Sequence, residues 1–491
     1  MIRANRWFII TAAAALLVCS APAQAPQQAP SSLSGVVRLN RAPVSNEILR
    51  VKFPRPSEAR LKNGMSVMVL EDHRTPSFSM TILIRASSLQ EPPELAGVVA
   101  DATAYLLRQG TKTRDARQIA ETLAELGGSL SASAGQRGVS VSISGLTDNL
   151  DELLELLADV LLNPAFPQSE LDNLVRRQLS SLQAMRAQPA FLANERLYAI
   201  LYPNDARKIT APSAEALKRL TRQDVVQYYN ANYKPAGGMI GIAGDITLKE
   251  MLPRLEKLLG GWQGAPPPLP KLPLEPPIRE KRVALIDRPN SVQTYLIVAN
   301  RAIGRRDPDY IACTLLNQVL GSGPASRLFR NIREEKGYTY GISSGFSATW
   351  YYNDFQAATS VRTEVTEAAL NEILKEFRDV RERLAPADEL DGARRALVGS
   401  FARSLESTAG VLSRAMELKD YGLPADYWDR FPEQIMKLSP ERVREVARKY
   451  VPVDNIQIVA VGDASKIREP LKKFGPVEEY SSEGKLLSGS R

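Results

Sequence analysis

The stretch GAPPPLPKLPLEPP, from Gly264 to Pro277, holds seven prolines: Pro266, Pro267, Pro268, Pro270, Pro273, Pro276 and Pro277. Proline fixes φ and has no amide N–H, so such a run continues neither a helix nor the centre of a sheet. An extended, semi-rigid linker is expected. We place it at residues 263–279. It divides the chain into two parts of roughly 200 residues, each large enough to form a core.

The parts on either side end alike. The first closes with Leu220-Thr221, a helical stretch through Val225 and Tyr229, Tyr233, Pro235, an apolar strand and Gly244-Asp245. The second closes with Leu438-Ser439, a helical stretch through Val443 and Val446, Tyr450, Pro452, an apolar strand and Gly462-Asp463. Leu220 to Leu438 and Gly244 to Gly462 are both separations of 218 residues. A match at both ends of the unit implies duplication. The expected halves are residues 47–262 and 280–475, followed by a Ser/Gly-rich tail at 476–491 that frays from about Ser481.

Each half mixes strands with helices. Asn63-Gly64 is a turn before the strand Val67–Leu70, and Met80–Ile84 is its neighbour. Val139 to Ser144 alternates apolar and serine residues, as a strand with one wet face does. Asn149 and Glu152 carry a capping-box-like signal for an apolar helix that Asn163-Pro164 ends. A polar helix runs from Leu171 to Met185. In the second half Asp309–Leu320, Thr366–Leu384 and Asp388–Lys419 have helical periodicity, and Pro308 suits a helix start. Antiparallel sheets backed by helices, an α+β class, fit this order better than regular βαβ alternation.

Composition then removes whole mechanisms. The 491-residue chain has one histidine, His73, in the turn after the first strand. Imidazole is the usual acid–base group near neutral pH and the commonest metal ligand. A serine triad, a Cys–His pair and a two-histidine zinc site are therefore excluded. An apolar fraction of 44% and a charged fraction of 24% are those of a globular chain. Cys19 and Cys313 are the two cysteines, and Cys313, in an apolar run, reads as a small buried hydrophobe.

Arg3 and Arg6 followed by the apolar Trp7–Val18 stretch and Ala21-Pro22-Ala23 read as a signal peptide at 1–23, cut after Ala23. Lipoprotein processing at Cys19 is disfavoured by the bulky Val18. Residues 24–46, rich in Ala, Pro, Gln and Ser, read as a flexible leader. The expected destination is the periplasm, or the exterior of a single-membraned cell, with no transmembrane segment after signal removal. The net charge of +8 is dispersed among acidic residues, so nucleic acid is not an expected partner.

Four motifs now stand in order. They are Lys62-Asn63-Gly64-Met65-Ser66-Val67 with Glu71-Asp72-His73-Arg74-Thr75-Pro76; the run from Gly97 to Gly110-Thr111; Leu320-Gly321-Ser322-Gly323 with Ser326-Arg327-Leu328-Phe329; and Arg333-Glu334-Glu335-Lys336-Gly337-Tyr338-Thr339-Tyr340. From about Ile48 to Asp463 the chain resembles the pitrilysin/insulinase family of zinc peptidases. The resemblance implies two homologous halves in a clam-shell arrangement. That family carries H-x-x-E-H on a helix, where two imidazoles hold the metal and the carboxylate activates water. Counted back from Gly110-Thr111, the three places fall on Asp101, Ala104 and Tyr105. The third ligand, a glutamate in the family, falls near Ser181. Asp101 alone could ligate a metal; Ala104 has no group to act as a base, and neutral Tyr105 is a poor ligand.

The resemblance also implies a surviving feature. In active relatives an Arg and a Tyr seven positions apart bind the substrate main chain and support the oxyanion at the zinc site of the opposite half. Arg333 and Tyr340 keep that spacing. A guanidinium presents a rigid donor fork, and a phenol can stabilise charge developing on a carbonyl oxygen. The expectation is a chain without catalytic residues or cofactor of its own. It would be the non-metal subunit of a heterodimeric metalloendopeptidase, with zinc in a homologous partner and an unfolded peptide as substrate. The alternative is a non-catalytic scaffold or peptide-binding protein of the cell envelope.

Overall fold

The computed structural model describes residues 51–488. The proposed signal peptide and leader lie outside the described residues. Thirteen strands occur among those described: β1 (Ser57–Arg60), β2 (Ser66–Glu71), β3 (Ser77–Ile84), β4 (Ser129–Ser133), β5 (Val139–Leu146), β6 (Met239–Gly244), β7 (Arg282–Asp287), β8 (Gln293–Arg301), β9 (Ile342–Ala348), β10 (Asn353–Arg362), β11 (Gln457–Gly462), β12 (Val477–Tyr480) and β13 (Leu486–Ser488). They form two sheets, ordered β1-β2-β6-β3-β5-β4 and β13-β12-β7-β11-β8-β10-β9.

The duplication is written in these orders. β2-β6-β3-β5-β4 corresponds strand for strand to β7-β11-β8-β10-β9. In both, a late strand is inserted between two that are consecutive in sequence, β6 between β2 and β3 and β11 between β7 and β8, parallel to the first and antiparallel to the second. Both ends are closed by the same bond: the amide of Asp72 donates to Gly244 O, and that of Arg288 to Gly462 O, each at 2.8 Å. The sheets are thus mixed rather than wholly antiparallel. Each half's last strand returns after a long helical excursion, and such a crossover permits a parallel pairing.

The linker has no helix or strand over 263–279. Side chains from both halves tie it down instead, Arg301 of β8 donating to Pro276 O from the second half and two residues acting from the first. Gln90 Nε2 donates to Pro267 O at 2.6 Å, and Glu275 accepts from the amide and side chain of Asn204.

Three sequence expectations need correction. Asn149 caps nothing with its side chain; its Nδ2 donates to Leu126 O at 2.9 Å instead, because that carbonyl at the preceding turn is within reach. The 388–419 periodicity belongs to two helices, Ala387–Arg403 and Thr408–Tyr421. Ser407, the cap of the second, accepts from the Gly410 amide and ends the continuity. The segment read as a tail, 476–491, carries regular structure as far as it is described: β12 lies beside β7 and β13 beyond it. Tyr480 anchors it beneath the Arg196 guanidinium, 3.6 Å from the ring centroid.

Period two decides which face each strand gives to which core. In the first sheet Val67, Val69, Ile240 and Ile242 face that half's own helices. Met68, Leu70, Met239 and Ala243, one residue out of phase, face Leu412 and Ala415 of the second half's Thr408–Tyr421 helix. The second sheet does the reverse. Val283, Leu285, Ile458 and Ala460 face its own helices. Ala284, Ile286, Val459 and Val461 face Leu192, Leu197 and Leu201 of the first half's Pro189–Leu201 helix. Each half therefore lends a helix to the other's sheet. Gly241 is the close point, since a Cβ there would lie 2.3 Å from Met416 Sδ.

Gly241→Val is expected to cost about 1–3 kcal/mol through overpacking of the borrowed helix. Adding Met416→Ala should return much of it. Denaturant melts of the wild type, both single variants and the double variant measure the coupling; additive costs would contradict the contact.

Candidate functional site

The helix Val99–Leu107 is buried along most of its length. Its start is fixed by Glu91, whose two carboxyl oxygens accept from the Gly97 amide at 2.6 Å and the Ala100 amide at 2.8 Å. Burial pushes this carboxyl up to about 7. Glu91, Gly97, Asp101, Tyr198 and Tyr352 line a cavity of about 340 Å³. Asp101 reaches solvent through it, yet the surrounding protein desolvates the carboxyl and raises it.

Ala104 is packed into the core. Tyr105 is half-buried, and its hydroxyl accepts from Arg177 Nη2 at 2.6 Å. Arg177 lies on the Gln168–Arg186 helix, which also carries exposed Ser181 one turn further on. The structure thus brings Tyr105 to the helix of Ser181, but through a guanidinium. Arg108 stands on the same ring, with its guanidinium carbon 5.7 Å from the centroid against 5.1 Å for Arg177. Among the described residues no three His, Cys, Asp or Glu side chains are grouped to hold a metal. An alanine, a phenol and a cationic side chain do not fit the family's zinc chemistry.

Arg333 and Tyr340 flank a different surface. The Phe329–Glu335 turns form a short π-helix. Exposed Arg333 lays its guanidinium 4.7 Å from the Phe329 ring centroid. Tyr340 is 89% exposed, just before β9. Among the described residues neither side chain makes a hydrogen bond or ion pair, and neither touches Asp101, Ala104, Tyr105 or Ser181. Exposed His73 sits in its turn, Nδ1 at 2.5 Å from Asp245 Oδ1, and that carboxylate raises it. Cys313 is buried.

A larger cavity, about 720 Å³, lies between the halves. One wall is polar: Ser140, from the alternating 139–144 strand, with Ser79 and Thr81 of β3 and Ser133 of β4. The Thr408–Tyr421 helix makes another wall, and the β9–β10 hairpin tip closes it with Thr349, Tyr351 and Tyr352. Behind that tip stands a group that periodicity alone did not reveal. Asp354 is 0% exposed, and neither carboxyl oxygen has a hydrogen-bond partner of good geometry. Tyr198, Tyr202 and Tyr352 form a ring cluster beside it, with centroids 4.8 to 6.1 Å apart. Desolvation raises Asp354 to about 7, offset in part by the Ser347 hydroxyl opposite on β9.

Two family models match, "Insulinase (Peptidase family M16)" over residues 66–212 and "Peptidase M16 inactive domain" over 219–397. The chain belongs to the pitrilysin/insulinase peptidase family, as a homologue without the family's zinc-binding residues. It is 23% identical to a protein of Rickettsia bellii called an uncharacterized zinc protease, over 81% of this chain and 93% of that one. It is 24% identical to the "Non-peptidase homolog YmxG" of Helicobacter pylori, over 82% and 92%. A crystal structure of a peptidase M16 inactive domain from Pseudomonas fluorescens superposes with a TM-score of 0.77 at 27% identity, covering 83% of this chain and 98% of that one.

Asp354 gives this region a pH dependence whose sign follows from linkage. An acid raised in the folded state destabilises the fold as pH climbs from the unfolded value near 4 to about 7, and the loss is complete above that. Asp354→Asn should therefore match the wild type near pH 4 and exceed it by about 3–4 kcal/mol above pH 7. Chemical denaturation across that range measures the gap; a constant gap would contradict the burial argument.

Proposed function

We propose that this chain is the non-metal subunit of a two-chain, exported zinc peptidase that cleaves unfolded peptides. The observation that carries the reading is the state of Arg333 and Tyr340. Both are exposed, and among the described residues neither has a hydrogen-bond or ion-pair partner. Tyr340 is 89% exposed, so its hydroxyl is open to a partner or substrate. The zinc positions carry Asp101, Ala104, Tyr105 and Ser181, while the supporting pair keeps its spacing. In the mixed assembly the partner supplies zinc. Arg333 holds a substrate carbonyl, and Tyr340 donates to the oxyanion. This chain also supplies half of the chamber wall. The signal-like N-terminus supports export, and among the described residues no helix is long and apolar enough to cross a membrane.

A second reading is favoured by the name of the Helicobacter relative, a non-peptidase homologue. On that reading the chain holds a peptide or an envelope protein without cleaving it. Affinity recovery of the tagged chain from its native envelope separates the two: a near-stoichiometric relative bearing H-x-x-E-H supports the peptidase, and its absence supports the scaffold.

In the reconstituted pair, Arg333→Ala and Tyr340→Phe should each lower peptide turnover by about 10²–10³-fold, the usual cost of removing an oxyanion donor. Assembly, followed by size-exclusion chromatography, should be unchanged. Unaltered turnover in both variants rules out the assigned roles.

A further inference from the structure

We infer that the hydroxyls of Thr359 and Thr339 form a latch that fixes the loop presenting Tyr340, and that Thr359 is thereby a positioning residue for the oxyanion donor. The inference deepens the peptidase reading above and rests on it.

Tyr340 has no side-chain anchor among the described residues, so the backbone on either side sets its direction. Thr339 Oγ1 accepts from the Gly341 amide at 3.0 Å and so bridges the residues before and after Tyr340. The same hydroxyl donates to Ser360 O at 2.7 Å, which ties the bridge to β10. Thr359 Oγ1, also on β10, lies 3.0 Å from Thr339 Oγ1 and 2.9 Å from Gly341 O. Its single proton enters the loop by either route. The β9–β10 ladder stops at Ile342, opposite Thr359, so these hydroxyls carry the hold past the last strand pair toward Tyr340. On the Arg333 side the backbone does the same work. Gly337 N donates to Arg333 O at 3.2 Å, and Tyr338 N to Ile332 O at 3.0 Å.

Packing alone does not call for this hydroxyl. Thr359 alternates with Phe355, Ala357 and Val361 on the core face of β10, and all four are buried, Thr359 to 3%. A buried hydroxyl is unfavourable unless bonded, whereas valine has the same branched shape and needs no partner. Both acceptors within reach of Thr359 belong to the loop of Tyr340. One place on an apolar face is therefore given to a group that bonds only that loop. A donor for developing charge acts best when held in place beforehand, and a misplacement of about 1 Å can cost about 10²-fold.

The test pairs an exchange measurement on the mature chain alone with kinetics of the reconstituted pair. Hydrogen exchange at the Gly341 amide should quicken at least tenfold in Thr359→Val and in Thr339→Val, the second of which lies outside the core. Thermal melts check that each variant is folded. In the pair, Thr359→Val should lower kcat about tenfold with KM little changed, and Thr359→Ser should restore it. In a Tyr340→Phe background the same Thr359→Val change should cost less than twofold, because its effect passes through the Tyr340 hydroxyl. Unchanged exchange in both valine variants overturns the latch. Losses that add in the double variant, or an unchanged kcat in Thr359→Val beside a lowered one in Tyr340→Phe, overturn the positioning role. Unaltered turnover in Tyr340→Phe itself overturns the peptidase reading and the positioning role with it, while the exchange result still decides whether the hydroxyls hold the loop.

Discussion

The reciprocal loan of helices is the constraint on which the rest depends. A sheet that is apolar on both faces needs two covers. Here one cover comes from each half: Leu192, Leu197 and Leu201 lie on the second sheet, and Leu412 and Ala415 on the first. Burying such side chains is worth about 1.5–3 kcal/mol apiece. Neither half can release its helix without baring a strip of the other's core. The linker is consequently not what holds the halves together. It only has to span between them, and its extended, strapped course suffices.

The loan also sets where the cavities form. The Thr408–Tyr421 helix covers β2 and β6 and stops short of β3, β5 and β4. Their uncovered face carries Ser79, Thr81 and Ser140 and becomes the polar wall of the larger cavity. Asp420, near the end of that helix, is buried to 1% and pairs with Arg85 at 2.6 Å and with Arg137, both from the first half. Trp350 of the β9–β10 tip stacks on Tyr421 beside it, 5.3 Å between centroids. A buried carboxylate between two guanidiniums adds little net stability over apolar packing, but losing one partner is costly. Its effect is to fix the register of the borrowed helix against the first sheet.

The halves, the linker and the strand faces were legible because each follows from local chemistry. Proline run, period two and a repeat offset of 218 residues need no tertiary information. The same reasoning failed at Asn149, at Ser404–Ser407 and over 476–488, where a remote carbonyl, a mid-helix cap and a neighbouring strand decided the outcome. In the candidate site, Asp101, Ala104 and Tyr105 were placed by counting from Gly110-Thr111. Arg177 was not, because its bond to Tyr105 crosses 72 residues of sequence. Asp354 escaped for a similar reason: a lone acid at the head of a strand reads as a turn residue until Tyr198 and Tyr202 of the other half are packed over it.

The altered helix shows why catalysis and folding can part company on this scaffold. The side of Val99–Leu107 that holds the fold contains Val99, Ala102, Leu106 and Leu107, all buried. Asp101 and Tyr105 lie on the more accessible side, one turn apart, and Ala104 replaces a charged group with the small apolar one that its buried position favours. Metal ligands at these places would be held by geometry that the core imposes anyway, so their loss removes no packing. Arg333 and Tyr340 are exposed and make no hydrogen bond or ion pair among the described residues, Arg333 resting only on the Phe329 ring, so little of the fold's stability rests on them. Stability therefore explains neither the erased set nor the spaced pair. The borrowed helices preserve the architecture whichever residues stand at these places.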